Sequence, residues 1–348
     1  MAYNLRVANS RTVQMFTLVF LFSFFVTLVF VYITSNNLIC VVSLYSTLSC
    51  DSRNMFTGIQ PNFNNPKRVE TIRPDVCEAC FSHNFNYVIN NDVMCKLYND
   101  SQEIDLVILI FTTHHHVKER NAIRQTWLTY TNKNKDNTRY SFLLGEVQDE
   151  NLRKLVEEEN KIHNDILKED FVDSYHNLTY KTMMAFKYTI TKCSHAKFVL
   201  KTDDDMWVNI PGLLKIILRE TTVLQTAVGG SCRHIAYPVR NPESKWYASF
   251  QRYPNKSYPG YCSGTGYVTS INVARKVFEL SSNVPFFHLE DVYVAMCIKI
   301  LGYKLLPIAG FNSNRQLFDP CLYKGDNLIT SHGVPAELLI SFWNTPCK

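Results

Sequence analysis

Charge is scarce in this chain. Asp, Glu, Lys and Arg make up 19% of its 348 residues, and the 36 basic side chains outnumber the 31 acidic ones by only five. No run of Lys or Arg breaks that thin spread, so the electrostatic footprint of a nucleic-acid partner is missing and none is expected. No internal repeat is evident either. What is plentiful is apolar surface, 46% of the residues. That is enough to offset the entropy of ordering a core, which excludes a disordered, collagen-like or coiled-coil chain.

The apolar residues are concentrated at one end. Met15 to Ile33 is a stretch of 19 residues without a charge, and at about 1.5 Å per residue it can cross a hydrocarbon core of about 30 Å. The apolar region of a cleaved signal peptide is shorter, about 7–15 residues. Arg6 and Arg11 precede the stretch and the first charge after it is Asp51. The positive-inside rule therefore predicts a type II anchor: a cytoplasmic tail over 1–14, a transmembrane helix over 15–36, and everything beyond on the far side. Residues 37–103, rich in Asn, Ser and Pro, read as a stem whose last part packs on the body through its cysteines and Phe81, Phe85 and Tyr87. Residues 104–348 read as the globular domain.

Cysteine use agrees with an oxidising compartment. Nine of the 11 cysteines, from Cys77 to Cys347, lie well beyond the span, where disulfides form. Cys77-x-x-Cys80 has no second pair at zinc-finger spacing, so these cysteines read as disulfide partners, with the pairing left open and at least one of the nine unpaired. Sequons at Asn99, Asn177 and Asn255 are candidate glycosylation sites.

Within the body, Asp105–Thr112 is a short continuous apolar run, as in a strand covered on both faces. A helix follows from near Lys118, with Arg120, Arg124 and Trp127 on one face. Tyr140–Gly145 reads as a strand, Asp149–Ile162 as a solvated helix, Leu178–Thr191 as an amphipathic helix and Lys197–Leu200 as a strand. This β-α-β-α-α-β order predicts an α/β fold with a mainly parallel sheet flanked by helices.

Candidate chemistry sits where the last of these strands ends. Asp203-Asp204-Asp205 follows the buried strand, and ligands of open α/β sheets bind beyond the carboxyl ends of strands. Carboxylates crowded together favour a divalent cation held by oxygen ligands. A second acidic pair, Glu290-Asp291, opens an apolar helical segment, whose N-terminus stabilises an ionised carboxylate as a base. Between them, the segment from Lys245 to Tyr267 mixes aromatics with Gly and Pro, and Trp246 and Tyr247 suit the apolar face of a sugar. His114-His-His116 invites a metal reading, but adjacent residues do not easily converge on one ion.

Taken in order, Arg120-Asn-Ala-Ile-Arg-Gln-Thr-Trp127, Phe142–Gly145, Asp170–Thr179 with Lys181-Thr182, Phe198–Asp205, Tyr258–Tyr261 with Ser263–Tyr267, and Glu290–Tyr293 resemble the β1,3-galactosyltransferase family of inverting Golgi enzymes. The resemblance runs from about Asp105 to Trp343. It implies a GT-A-like, Rossmann-type fold, a lumenal catalytic domain in the Golgi membrane, a UDP-sugar donor with Mn2+, and a glycan acceptor on glycoprotein or glycolipid; a homodimer is compatible with it. By matching motif, Asp203 and Asp205 are expected to ligate the metal together with His332, and Arg120, Arg124, Asp203 and Asp204 to face the donor. Asp291 is expected to be the catalytic base, and Trp246, Tyr247, Tyr267 and Glu290 to line the acceptor side. β1,3-N-acetylglucosaminyltransferases share most of the framework, but Ser244–Tyr247 and Cys262–Tyr267 look closer to the galactosyl branch. A catalytically silent carbohydrate-binding protein on the same fold is the rival of another class, and the intact Asp triplet and Asp291 weigh against it.

Overall fold

The computed structural model describes residues 73–99 and 102–347; the expected tail and anchor lie outside them. Among the described residues no helix is long and apolar enough to cross a membrane. The elements in chain order are β1 Tyr87–Ile89, β2 Leu106–Phe111, α1 Val117–Gln125, β3 Thr138–Glu146, α2 Glu150–His163, β4 Ile166–Val172, α3 Leu178–Lys192, β5 Phe198–Asp203 and β6 Met206–Val208. They continue with α4 Ile210–Arg219, α5 Thr221–Leu224, β7 Ala227–Arg233, β8 Tyr261–Ser270, α6 Ile271–Ser281, α7 Glu290–Ile300, β9 Lys304–Pro307, α8 Pro320–Lys324, β10 Thr330–His332 and α9 Ala336–Asn344.

The main sheet has the order β1-β4-β3-β2-β5-β8-β7-β9. Its centre, β4-β3-β2-β5, is parallel, and β8 runs antiparallel between β5 and β7, so the sheet is mixed. β2 shows why it is central. All six of its side chains are buried, with Val107, Leu109 and Phe111 in one core layer and Leu106, Ile108 and Ile110 in the other. A strand covered by helices on both faces reads as a continuous apolar run, which is how it appears in the sequence.

One expected element order is corrected. Between α2 and α3 the chain forms β4, giving β-α-β-α-β-α-β rather than two successive helices. β4 carries Lys168 and Glu169 among its apolar residues, both buried. Lys168 pairs with Glu146 and Glu169 with Lys187, and these distant partners make the charges tolerable inside the sheet.

The described end of the expected stem is built into this fold. β1 pairs antiparallel with β4 as the sheet's edge strand, and Cys95 is bonded to Cys193 at the end of α3. Other disulfides join Cys77–Cys80, Cys232–Cys262 and Cys321–Cys347, while Cys297 is a buried free thiol.

Candidate active site

β5 ends at Asp203, and Asp204 and Asp205 form the tight turn into β6. β6 pairs antiparallel with β10 in a separate two-stranded ribbon that sets His332 opposite Met206. His332 is thereby brought 3.1 Å from Asp205, Nε2 to Oδ2, with both side chains partly open to solvent. The hydrogen bond that the imidazole donates to Asp205 holds its pKa above the usual value, against burial and the opposing charge of Lys245. Burial pushes the Asp205 carboxyl up, but the bond to His332 outweighs it and holds the carboxyl below its usual range.

The other members of the acidic triplet are already partnered. Asp204 is buried and meets His116 Nδ1 at 2.8 Å. Asp203 accepts from Lys201 Nζ at 2.6 Å. Lys201 lies two residues earlier on β5, so strand alternation puts the two on one side. Burial of Lys201 disfavours its charge, yet Asp203 and Glu290 overcome that and hold its pKa above the ordinary lysine range.

Lys201 joins this end of the site to the second acidic pair. Its Nζ donates to the Gly264 carbonyl and stands 3.3 Å from Glu290 Oε1. Glu290 Oε2 accepts from the Thr182 and Tyr267 hydroxyls, each at 3.0 Å. Burial pushes the Glu290 carboxyl up to about 7, with Lys201 pulling down and Asp291 and Asp203 pushing up. Asp291, in the first turn of α7, accepts from the Gly264 amide at 3.1 Å and stays partly open. Burial raises its pKa against the Gly264 and Val292 amides.

Gly264 is the pivot of this contact. A Cβ there would stand 2.5 Å from Glu290 Oε1 and 3.4 Å from Asp291 Oδ2. Gly264→Ala is expected to displace Glu290 and tilt Asp291, lowering kcat about tenfold or more with the fold retained, because misplacement of reacting groups is costly. Steady-state kinetics alongside a thermal melt checks this; unchanged kcat would show that the close approach is dispensable.

Five of the expected site residues are engaged by other groups of the fold. Arg120 is fully buried; its Nε and Nη2 bond Glu159 at 2.8 and 2.6 Å, and its Nη1 reaches the Thr112 hydroxyl and the Thr113 carbonyl. Arg124 forks onto Asp165 at 2.8 Å, also meets Glu159, and lies over the Phe142 ring. Both arginines therefore dock α1 against α2 and the residue that precedes β4. Tyr267 and Glu290 are buried and bonded to each other. Asp204, buried, bonds His116 through Oδ2.

Trp246 is 52% exposed and Tyr247 partly so. The three histidines do not converge: His114 is buried, with burial lowering its pKa to about 4, while His116 bonds Asp204. Asn99 and Asn255 are exposed, whereas Asn177 is partly buried and donates to the Val172 carbonyl. Lys201, Thr182 and His116 went unassigned in the sequence. For Lys201 the period-two spacing to Asp203 was an available signal; Thr182 stood only within the Lys181-Thr182 motif and His116 only within the histidine triplet, with no pointer to their partners.

Comparison with known proteins bears on this site. The family model described as Galactosyltransferase matches residues 118–307, from the start of α1 to the end of β9. The chain is 39% identical over 263 residues to beta-1,3-galactosyltransferase 1 of Mus musculus and of Homo sapiens, covering 75% of this chain and 78% of the relative. It is 36% identical to human beta-1,3-galactosyltransferase 5, covering 68% and 77%. Among solved structures, a glycosyltransferase involved in glycosylation of the PBCV-1 major capsid is 11% identical with a TM-score of 0.39, covering 68% of this chain and 98% of that one. The protein is a hexosyltransferase built on a mixed α/β sheet. It belongs to the β1,3-galactosyltransferase family.

Proposed function

We propose that this protein moves galactose from UDP-galactose to the 3-hydroxyl of an acceptor sugar on a glycoprotein or glycolipid, with inversion at the anomeric carbon. The observation that carries this is the disposition of Asp291. It is a partly open carboxylate at a helix N-terminus, oriented by the Gly264 amide and linked through Gly264 and Lys201 to Asp203, which ends β5.

In this mechanism Asp291 accepts the proton of the acceptor 3-hydroxyl as that oxygen attacks the anomeric carbon from the face opposite the departing nucleotide. An α-linked donor then yields a β product. Lys201 sets one positive charge between Asp203 and Glu290, which offsets part of the repulsion among the carboxylates beside Asp291. Holding acceptor and donor in line accounts for much of the remaining acceleration.

Asp205 and His332 fit a divalent cation: an oxygen and a nitrogen ligand converge in a partly open position. Among the described residues no three His, Cys, Asp or Glu side chains gather as a closed metal cage. That suits Mn2+ or Mg2+, which often take only one or two protein ligands and complete their shell with water and substrate phosphates. Such an ion, when bound, stabilises negative charge on the departing diphosphate. Asp205→Ala is expected to abolish metal-dependent donor binding; unchanged Mn2+ dependence in a titration would remove Asp205 from this role.

The acid limb of the kcat/KM profile follows from Asp291. The base works only when ionised, so activity is present above its folded pKa and lost as pH falls through it. Because that pKa is raised, the limb should lie above the ordinary aspartate value of about 4. A limb at or below that value would count against Asp291.

The charge-free stretch beginning at Met15, preceded by Arg6 and Arg11, supports a type II anchor that places the catalytic body in the Golgi lumen. The testing experiment assays residues 70–348 with Mn2+ and UDP-galactose or UDP-N-acetylglucosamine against a panel of glycan acceptors. β1,3-linked galactose in the product supports the reading. N-acetylglucosamine transfer would move the chain to the sister activity, and no transfer with intact glycan binding would make it a silent binder.

A further inference from the structure

A cleft of about 240 Å³ is walled by aromatic side chains drawn from separate segments of the chain. Tyr130 comes from the 3₁₀ turn Trp127–Thr131 that follows α1, Trp207 from β6, Tyr323 from α8 and Trp343 from α9. The rings run on from one another. Tyr130 meets Trp343 edge-on at 5.6 Å between centroids, Trp343 lies 5.9 Å from Trp207, and Trp207 lies 5.5 Å from Tyr323. Tyr130 is 51% exposed and Trp343 partly so, while Trp207 and Tyr323 are buried behind them. None of Asp203, Asp205, Asp291 and His332 lines this cleft.

The fold holds the walls in place. The Cys321–Cys347 disulfide ties α8 to the chain beyond α9, and Lys324 Nζ donates to the Trp343 and Thr345 carbonyls at 2.7 and 2.6 Å. Those carbonyls lie at the end of α9, so the negative end of that helix offsets part of the ammonium charge. Asn209, also in the wall, is engaged: its Nδ2 donates to the Gly325 and Leu328 carbonyls, and its Oδ1 accepts from the Gly212 amide. One donor is left over. Trp207 Nε1 is buried with no partner among the described residues, and a buried donor without an acceptor is costly.

We infer that this cleft binds a hexopyranose unit of a glycan, at a place separate from the site of transfer. A pyranose has C–H faces and a rim of hydroxyls. The C–H groups pack on aromatic faces, whose negative charge density attracts them, and a hydroxyl oxygen supplies the acceptor that the Trp207 N–H lacks. The size agrees with one ring, since pockets for larger organic ligands run to about 300–1,000 Å³. The partly offset Lys324 charge favours a neutral ring over an anion. This holds whichever nucleotide sugar is the donor.

The test uses the full-length chain in a detergent without a sugar head group. Binding of methyl β-galactoside, methyl β-N-acetylglucosaminide and methyl α-mannoside is followed by saturation-transfer NMR, with benzyl alcohol as an apolar control. At least one glycoside is expected to bind wild type, about tenfold more weakly to Tyr130→Ala, and within about twofold of wild type to Tyr130→Phe, which keeps the ring. Trp207→Phe, which deletes the free N–H, is expected to weaken binding about threefold. No glycoside signal with wild type overturns the inference. So does a signal that Tyr130→Ala leaves unchanged, because the sugar then sits elsewhere. Equal losses in Tyr130→Ala and Tyr130→Phe overturn it by removing stacking as the cause. Tyr130-dependent binding of benzyl alcohol but of no glycoside overturns it by marking an apolar slot. Where a glycoside binds as expected, a raised KM of Tyr130→Ala for a branched acceptor alone assigns the bound unit to the acceptor's second arm. An unchanged KM assigns it to a separate glycan, and both results uphold the site.

Discussion

Asp291→Asn is expected to lower kcat by about 10²–10⁴-fold, the range associated with a lost general base. The change is nearly isosteric. An asparagine oxygen can still accept from the Gly264 amide, which now bonds Asp291 at 3.1 Å, so α7 should keep its position. What disappears is a group able to take the acceptor's proton. The substituted nitrogen donates hydrogen bonds and has no basicity at neutral pH. UDP affinity, measured separately with Mn2+, should stay within about twofold of wild type, because the expected donor contacts lie on the Asp205–His332 side. Retained turnover would remove Asp291 from catalysis and direct attention to Asp203, the other partly open carboxylate bonded to Lys201.

Arg120→Ala carries the second large effect, on stability. The guanidinium is wholly buried and bonds Glu159 through two nitrogens. Removing it leaves Glu159 uncompensated except for Arg124, and breaking a buried pair in this way costs roughly 3–5 kcal/mol. The same guanidinium holds Thr112 and Thr113, which lead to His116 and its contact with Asp204. The loop beside the acidic turn should therefore loosen as well. The denaturant midpoint of Arg120→Ala should fall well below wild type. An Arg120→Met, Glu159→Met pair should recover part of the loss, since a paired apolar replacement leaves no orphaned charge. A normal midpoint with a raised donor KM would restore Arg120 to the donor side and refute the buried role.

These two residues show how unevenly the site could be read. Asp291 was visible because its role depends on local signals, an acidic pair opening an apolar helical segment. Arg120 was visible as a residue but not as a role. A helical face carrying two arginines has the same pattern whether it meets a diphosphate or, as here, Glu159 on α2 and Asp165 just before β4. β4 was hidden for a related reason. Lys168 and Glu169 interrupt its apolar run, and their partners Glu146 and Lys187 lie 22 residues before and 18 after, beyond any local pattern.

The sequence by itself determined the strand-and-helix alternation apart from β4, the edges of α2 and α3 to within about a residue, the acidic turn after β5 and the family. Each depends on periodicity, capping or short motifs, which are interactions between near neighbours along the chain. Only the tertiary structure decided which charges are consumed and which remain free. It pairs His332 with Asp205 across 127 residues, spends Asp204 on His116, and shuts both expected arginines inside. A charge's partner is set by three-dimensional proximity in a low-dielectric interior, and sequence spacing carries no record of that proximity.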